Sequence, residues 1–413
     1  NNIKKDVANY VFTKIEPFAD YGFNKSHAVA YALIAFQTAY LKTHHAEQFI
    51  AASMSTTLTN TGKLREYVEE LKRLKVEVIR PSINNCFAEF KADTNKIFYG
   101  LGAIKSVGFE AISNIVNERE KNGKFKTFTD FINRVDPKDV NKLQLEGLVK
   151  AGAFDEIDLN RKKLFDSIPK IIQTIKSKYD ERVSNQTNLF NDSNNHNNET
   201  FKFNSVKSWT KKELLAEEFV SLGFYISDHP LNEYKEFFTQ LEINSYKDFI
   251  ESSKTESLVA GTIMSIQEKK SAKGNSYAII KFSDNKSEFE IFLFSDLFSS
   301  NRDKLKESDS FILTLHKEKN TSENNLARVN IRKIVDLSDL VNKTYEKVSI
   351  ELNDREKLKE LNELLKNNGE TKINVILRDS NKNYSFELKE NRKFDFNLFS
   401  LIKNKEYVKK ISF

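Results

Sequence analysis

The chain has 413 residues, enough for roughly two to four domains with separate cores. Its 65 Lys and Arg residues against 59 Asp and Glu give a formal net charge of +6, spread along the chain, which permits a polyanionic partner without requiring one. The single cysteine, Cys86, excludes a disulfide framework and a cysteine-built zinc cluster, and the longest apolar run, near residues 28–39, is too short for a membrane span.

The first part of the chain is predicted to be helical. The spacing of alanine, leucine and aromatic residues predicts a helix over residues 28–53. A second, amphipathic helix is predicted over residues 63–74, because Leu64, Val68 and Leu71 recur on one face. Short β-like runs in residues 76–100 then predict a small strand pair that joins two helical parts.

Polar residues stand where the first long helix begins: Tyr21 is followed by Asn24, Lys25, Ser26 and His27. The free N–H groups and the dipole at the amino end of a helix favour an anion, and these side chains add donors suited to a triphosphate. A simpler interpretation is an N-cap at Asn24 or Ser26 with a solvated Lys25. Such caps are common, so the residues by themselves favour the second interpretation.

Two glycine turns followed by amphipathic helices have the form of helix-hairpin-helix motifs. They lie in "YGLGAIKSVGFEAISNIVNER" and "LEGLVKAGAFDEI". Such a turn directs backbone N–H groups at a DNA phosphate without reading base sequence. Alternatively, each glycine merely ends a helix at its C′ position. The residues predicted to face DNA are Gly102, Lys105, Ser106, Gly108, Lys150 and Gly152.

An asparagine-rich segment follows, with seven asparagines in residues 185–198. Because this composition cannot bury a core, we expect a disordered linker. It contains "QTNLF", in which Leu189 and Phe190 have no core to join. We expect this pair to dock in a groove on a partner, with Gln186 hydrogen-bonding beside it, although a chance match is a real alternative.

After a helical, hairpin-like stretch over residues 211–238, alternating apolar residues predict five strands and a small closed antiparallel barrel of the oligonucleotide-binding type. Aromatic and basic residues of this barrel are candidates for stacking and tracking a single strand, although most of the aromatics are expected in the core. They are Phe282, Phe289, Phe292 and Phe294, with Lys269, Lys270, Lys273 and Lys281.

The tail predicts a compact α/β unit. Strands are expected over 347–352, 372–377, 384–389 and 407–413, and helices over 354–366 and 396–402. No serine-histidine-aspartate arrangement, nucleotide-binding glycine loop or histidine-rich metal spacing is visible.

Taken in order, five stretches resemble the carboxy-terminal third of the alpha subunits of bacterial DNA polymerase III, the C-family replicative polymerases. They are "FADYGFNKSHAVAYALIAFQTAYLKTH", "RPSIN", "FYGLGAIKSVG", "LVKAGAFD" and "YISDHPLNEY". One departure is that His45-Ala46 stand where the family usually has Tyr-Pro, which makes the end of that helix less certain.

The resemblance implies that Tyr21, Asn24, Lys25, Ser26 and His27 help to hold the incoming nucleotide. It also implies two-metal nucleotidyl transfer, with Mg²⁺ bound by palm aspartates that lie outside this chain. We therefore expect neither a metal site nor a cofactor in this chain, and no polymerase activity from this chain alone.

The resemblance further implies a multidomain α plus β organisation. The expected segments are the end of the helical fingers (1–80), a tandem helix-hairpin-helix domain (81–180), a linker with the clamp-binding motif (181–208), a helical connector (209–250), an OB-fold β-barrel (251–340) and a carboxy-terminal α/β domain (341–413).

The expected partners are primer-template duplex, single-stranded template, dNTP, the sliding clamp through Gln186, Leu189 and Phe190, the tau subunit of the clamp loader, and the epsilon and theta subunits. No membrane partner is expected, and the implied location is the nucleoid within the cytoplasm. Two alternatives remain: an error-prone paralogue of the alpha subunit, or a non-catalytic scaffold that binds DNA or the clamp.

Overall fold

The computed structural model describes residues 3–19, 25–184, 201–271, 274–318, 328–341, 345–379 and 382–413. The chain divides into two compact units, Asn1–Phe224 and Tyr225–Phe413. The predicted mixture of α and β structure is confirmed, whereas the finer six-segment division remains a prediction. Within the described ranges, no helix combines the length and the apolar character that crossing a membrane would require.

The first unit is mainly helical. Its helices are α1 (Lys5–Ala19), α2 (Lys25–His44), α3 (Ala46–Ser55), α4 (Thr61–Arg73), α5 (Phe109–Asn122), α6 (Phe128–Arg134), α7 (Lys142–Lys150), α8 (Arg161–Ser184) and α9 (Lys211–Leu222). The long helix predicted over residues 28–53 is interrupted at His45, whose φ of −140° is not helical. Different environments accompany this break, since α3 buries Ile50 and Met54 whereas α2 buries none of its residues.

The predicted amphipathic helix is confirmed as α4. It buries Leu64, Val68 and Leu71, and the side chain of Asn60 caps it by accepting a hydrogen bond from the Lys63 N–H at 3.1 Å. Lys42 of α2 pairs with Glu70 of α4 at 3.0 Å. The hydrogen bond from Lys42 lowers the pKa of the Glu70 carboxyl.

A small sheet follows α4, as the β-like runs predicted. It contains β1 (Glu77–Ile79), β2 (Lys91–Asp93) and β3 (Lys96–Phe98) in the order β1-β3-β2. The antiparallel β2/β3 pair turns through Asn95, which has φ 56°, and β1 adds to β3 in parallel. The sheet therefore has one strand more than the predicted pair.

The second unit contains two larger sheets and short helices. The first sheet consists of β4 (Glu256–Lys270), β5 (Ser276–Ser283), β6 (Glu288–Leu293), β7 (Ser310–Glu318) and β8 (Arg328–Asp336). The helices of this unit are α10 (Lys235–Gln240), α11 (Tyr246–Glu251), α12 (Ser295–Asn301), α13 (Leu337–Val341), α14 (Leu358–Leu364) and α15 (Phe396–Lys403).

The five predicted strands are confirmed, but the prediction of a closed barrel is wrong. The sheet order is β6-β5-β4-β7-β8, with every pair antiparallel, and within the described ranges β6 and β8 are edges that do not pair. The third strand was predicted from "SEFEIFLFSDLF", residues 287–298, yet β6 ends at Leu293 and the chain continues as α12. The five strands therefore form an open sheet.

The last sheet contains β9 (Lys347–Leu352), β10 (Asn368–Asp379), β11 (Lys382–Glu387) and β12 (Val408–Ser412) in the order β11-β10-β9-β12. The pair β9/β10 is parallel, and its neighbours are antiparallel. Phe399 and Ile402 of α15 and Leu361 of α14 share one core with Val348 and Ile350 of β9. The tail is therefore an α/β structure, as its periodicity predicted.

Candidate nucleic-acid interface

The first hairpin consists of a 3-10 helix at Leu101–Ala103, a turn over residues 104–108, and α5. Ser106 lies in the left-handed region, with φ 65°. Gly108 is the N-cap of α5 in an extended conformation and offers no side-chain cap. Gly102 permits a close approach, because a Cβ there would lie 2.9 Å from the carbonyl oxygen of Ala88.

The backbone of this first turn is only partly engaged. The N–H of Lys105 donates to the Ser221 carbonyl at 3.0 Å, and that of Val107 donates to Ile104 at 3.1 Å. The N–H groups of Ser106 and Gly108 have no acceptor among the described residues. The first turn therefore leaves unpaired donors beside the amino end of α5, where an anion is favoured.

The side chains of the first turn are accessible. Lys105 and Ser106 are exposed, whereas Val107 is buried and anchors the turn. Lys105 forms no ion pair within the described part of the chain. Phe109, the first residue of α5, is 43% exposed beside them.

Gln144, on α7, is a neighbour of this turn that the sequence did not reveal. Its Oε1 accepts the N–H of Asn141 at 2.9 Å, while the Asn141 side chain accepts the Gln144 N–H at 3.0 Å, which together form a capping box. Its Nε2 lies 3.3 Å from the position that a Cβ on Gly108 would occupy. The capping box thus orients a side-chain donor toward the amino end of α5.

The second hairpin consists of α7, a turn over residues 151–158, and α8. Gly152 has φ 79°, its N–H donates to Val149 at 3.0 Å, and the N–H of Ala153 donates to Leu148 at 2.9 Å. This pair of bonds is a Schellman motif with Gly152 at C′. The interpretation that this glycine ends a helix is therefore confirmed for Gly152.

A buried arginine lies directly over the second turn. Arg161 is 5% exposed and donates to both carboxylate oxygens of Asp155, at 2.8 and 2.6 Å, and to the carbonyl of Lys150 at 2.9 Å. Glu218 of α9, which is 1% exposed, lies 3.9 Å from the same guanidinium. A Cβ on Gly152 would lie 2.1 Å from Arg161 Nη2. Only glycine leaves room for this arginine.

Lys150 is also engaged within the protein. Its Nζ lies 2.9 Å from Glu217 Oε2 of α9 and 5.1 Å from the centroid of the Phe165 ring. A cation between a carboxylate and an aromatic face is held by both. The expectation that Lys150 and Gly152 contact DNA stays a prediction from the sequence.

The "RPSIN" stretch ties the two hairpins together. Asn84 exchanges two hydrogen bonds with the backbone of Phe125, at 2.9 and 2.8 Å, and the N–H of Ile83 donates to Ala153 at 2.7 Å. The buried Arg119 of α5 donates to the carbonyls of Ile83 and Cys86. Burial lowers the pKa of Arg119. The stretch predicted as a connector thus forms hydrogen bonds with both hairpin motifs and holds them together.

The predicted nucleotide-binding residues are only partly within the described ranges. Lys25, Ser26 and His27 form the exposed first turn of α2, and the His27 and Tyr31 rings meet edge to face at 4.4 Å. Tyr21 and Asn24 lie outside the described residues. Several large apolar side chains of α2 are exposed, among them Val29 and Phe36, each at 68%.

The clamp-motif residues Gln186, Leu189 and Phe190 also lie outside the described residues. In the five-stranded sheet, the candidate aromatics divide into two pairs. Phe282 and Phe289 are buried in the core, while Phe292 and Phe294 are 46% and 48% exposed. The rings of Tyr277 and Phe292 stack at 6.5 Å with an interplanar angle of 23°.

Of the basic candidates on this sheet, Lys269 and Lys270 are exposed, and Lys281 pairs with Glu288 at 2.9 Å. Lys273 lies outside the described residues. In the described part of the chain, no group of three or more His, Cys, Asp or Glu side chains is arranged to hold a metal ion.

Comparison with known proteins agrees with the interpretation of the two turns as helix-hairpin-helix motifs. Residues 75–164 match a family model described as a helix-hairpin-helix motif. This range contains both hairpins and the stretch that joins them. Residues 75–164 therefore carry a helix-hairpin-helix motif.

Proteins similar along most of the length of the chain indicate a narrower class than the motif does. The chain is 33% identical over 405 residues to the DNA polymerase III subunit alpha of Borreliella burgdorferi, a match that covers 93% of this chain and 34% of that protein. It is 34% identical to the corresponding subunit of Buchnera aphidicola, over 95% of this chain and 34% of that protein. Along most of its length the chain is thus related to the DNA polymerase III alpha subunits, and the resemblance predicted from the motifs is confirmed. The chain spans about a third of the length of these relatives.

Proposed function

We propose that the chain is the carboxy-terminal part of a replicative DNA polymerase III alpha subunit, which transfers nucleotides from dNTP to a primer 3′-OH. The observation that supports this proposal most directly is the sequence identity of 33% and 34% to two such subunits over nearly the whole chain. In this proposal the Mg²⁺-binding carboxylates belong to the rest of the subunit. This chain supplies contacts to nucleotide, to DNA and to partner proteins.

The nucleotide contact is assigned to the start of α2. Lys25 and Ser26 are exposed at a helix amino end, where a triphosphate gains from the helix dipole and from a nearby ammonium. His27 is in the same turn. Tyr21 and Asn24 precede it in sequence and are proposed to complete the site.

The duplex contact is assigned to the hairpins, with Gly102, Lys105, Ser106 and Gly108 in the first turn. A phosphate bound there interacts with unpaired backbone donors and one exposed ammonium, and no base edge is read. This assignment gives binding without sequence preference, which suits an enzyme that moves along any template. Residues 81–180 are thereby proposed as the duplex-binding domain.

The five-stranded sheet is proposed to be an open form of the OB type, facing single-stranded template. Two features support this proposal: the exposed Phe292 and Phe294, and the exposed Lys269 and Lys270. Exposed rings stack on bases, and the ammonium groups follow the backbone.

For partner proteins, the "QTNLF" stretch is proposed to bind the sliding clamp through Gln186, Leu189 and Phe190, and residues 341–413 to contact the tau subunit. Epsilon and theta are proposed as further subunits of the same assembly, which would act at the nucleoid. A weak peptide is sufficient for the clamp because polymerase and clamp share one DNA, which raises their effective concentration.

Primer extension by the full-length subunit tests the central proposal. Lys25→Ala and His27→Ala should each raise the apparent KM for dNTP in single-nucleotide incorporation, while primer-template affinity stays unchanged. The exposed Lys4→Ala, in the segment before α1, is the control. Unchanged incorporation kinetics in both variants would contradict the nucleotide assignment, and a full-length subunit without template-directed synthesis would contradict the proposed function.

A further inference from the structure

The two hairpin turns differ in what they leave accessible to DNA. Building on the proposed duplex binding, we propose that only the first turn contacts the phosphate backbone, with Gln144 of α7 as an additional donor. The second turn instead forms contacts within the protein that stabilise the fold. This assigns the tandem motif a single composite phosphate site at residues 105–108 and 144.

The first turn has the required chemistry. Lys105 is exposed without an ion pair among the described residues, and the N–H groups of Ser106 and Gly108 have no acceptor there. The Nε2 of Gln144 is brought beside Gly108 because its Oε1 is already used by Asn141. Residues 105–108 thus carry one ammonium and two backbone donors, and Gln144 adds an amide donor beside Gly108, a set of donors that suits the several oxygens of a phosphate.

The second turn keeps two backbone donors without an acceptor among the described residues, the N–H groups of Phe154 and Glu156, but it lacks an unpaired ammonium and open space above its glycine. The N–H groups of Gly152, Ala153 and Asp155 all donate within the chain, to Val149, Leu148 and Gly152. The space above Gly152 is filled by the Arg161 guanidinium. The ammonium of Lys150 is paired with Glu217, and the Lys150 side chain is 19% exposed. The lysine of the second turn and the backbone donors next to Gly152 are therefore already used within the protein.

The charges of the two turns agree with this division. Residues 104–108 contain Lys105 and no carboxylate, whereas residues 151–158 contain Asp155, Glu156 and Asp158 and no Lys or Arg. Asp155 is bound to Arg161, Glu156 accepts from Ser82 at 2.9 Å, and Asp158 pairs with Lys163. A phosphate approaching the second turn would meet carboxylates that already serve the protein.

The test is binding of the 413-residue chain to a fluorescently labelled blunt DNA duplex of mixed sequence, titrated at several NaCl concentrations. Lys105→Ala should weaken binding by roughly tenfold, as expected for one lost charge-assisted hydrogen bond, and should lower the slope of log K against log [NaCl] by about one. Lys150→Met should change neither quantity, although it removes a contact to α9.

Gln144→Glu isolates the additional donor. The substituted carboxylate still accepts the Asn141 N–H and preserves the capping box, but it presents an oxygen in place of Nε2. Binding should therefore weaken while thermal stability is retained. The charge-matched control is Gln173→Glu, at an exposed position of α8, which should bind as the wild type does.

The outcomes separate the two levels of the proposal. If wild-type chain binds but Lys105→Ala binds equally well, or if Lys150→Met reduces the salt slope as much as Lys105→Ala does, the single-site assignment is overturned and duplex binding stands. If wild-type chain does not bind duplex even at low salt, the proposed DNA contact fails, and this assignment fails with it.

Discussion

The backbone of Gly147, on α7, packs against the carbonyl of Lys105 in the first hairpin turn: a Cβ on Gly147 would lie 2.8 Å from that oxygen and 3.1 Å from a methyl group of Val107. A separation under 3 Å between a Cβ and a backbone oxygen requires either α7 or the first turn to move. The second hairpin thus positions the first turn through a glycine, and Gln144 reaches Gly108 from the same helix.

This contact predicts the effect of Gly147→Ala. The added methyl group should push α7 away from the first turn and lower the free energy of unfolding by about 1–3 kcal/mol, as overpacking does. Urea denaturation of the chain followed by far-UV circular dichroism measures the change. Gly62→Ala, in α4, is the matched control, because its Cβ would meet only Asn60 Oδ1 at 3.4 Å. A loss in the control as large as that in Gly147→Ala would contradict the packing argument.

Ser106 carries a second prediction, because it holds φ 65° without being a glycine. A left-handed conformation costs a residue with a Cβ roughly 1 kcal/mol, so Ser106→Gly should stabilise the chain by about that amount. Ser113→Gly, at a half-buried position within α5, should instead destabilise it by about 0.5 kcal/mol. Equal effects of the two substitutions on the urea midpoint would rule out relief of strain at Ser106.

Arg161 gives a third prediction. Arg161→Met should lower the free energy of unfolding by about 3–5 kcal/mol, because it removes a buried bidentate ion pair with Asp155 and a cation that lies 3.9 Å from the carboxylate of Glu218. Arg73→Met is the control, since Arg73 pairs with Glu70 at 3.1 Å but is 75% exposed and should matter by less than about 1 kcal/mol. A small change in the free energy of unfolding of Arg161→Met would mean that the contacts of Arg161 with Asp155 and Glu218 do not stabilise the second turn.

The sequence predicted the features of this chain that depend on local pattern. Period-two alternation located the five strands of the open sheet, and apolar spacing located α4, because each pattern reports one buried face. The strand prediction failed beyond Leu293, where the apolar residues of "FSDLF" stand three and four positions apart, and the chain forms α12 with Phe294 as its N-cap. Closure of the barrel was wrongly predicted because strand pairing at the two edges depends on strand lengths that the pattern does not fix.

For the candidate site, the sequence predicted where the turns lie but not which contacts they make. Glycines at residues 102, 108 and 152 indicated two turns, yet only tertiary structure distinguishes an N-cap at Gly108 from a C′ glycine at Gly152. Gln144 follows Gly108 by 36 positions. Its role depends on how α7 packs against α5, and neither residue type nor spacing carries that information.

Cys86 provides a prediction about pH. Its side chain is fully buried, and burial raises the pKa of the thiol to about 11. The unfolded thiol ionises first as pH rises, so the unfolded state binds fewer protons above its own pKa and stability falls between about pH 9 and 11. Cys86→Ala should reduce this decline in urea midpoints measured from pH 8 to pH 11. An unchanged decline would assign it to other groups, such as the buried Tyr99, whose pKa is also raised by burial.

The last prediction concerns the linker. If "QTNLF" binds the sliding clamp, replacing Leu189 and Phe190 by alanine should abolish the interaction, because these are the two apolar side chains of the motif. Surface plasmon resonance of the 413-residue chain on immobilised cognate clamp measures the affinity, and Asn191→Ala with Asn194→Ala is the control within the same linker. In the full-length subunit the Leu189/Phe190 variant should retain distributive synthesis but lose the stimulation by clamp. Retained affinity would place clamp binding elsewhere in the chain, and absence of binding by the wild type at micromolar concentration would favour an error-prone paralogue.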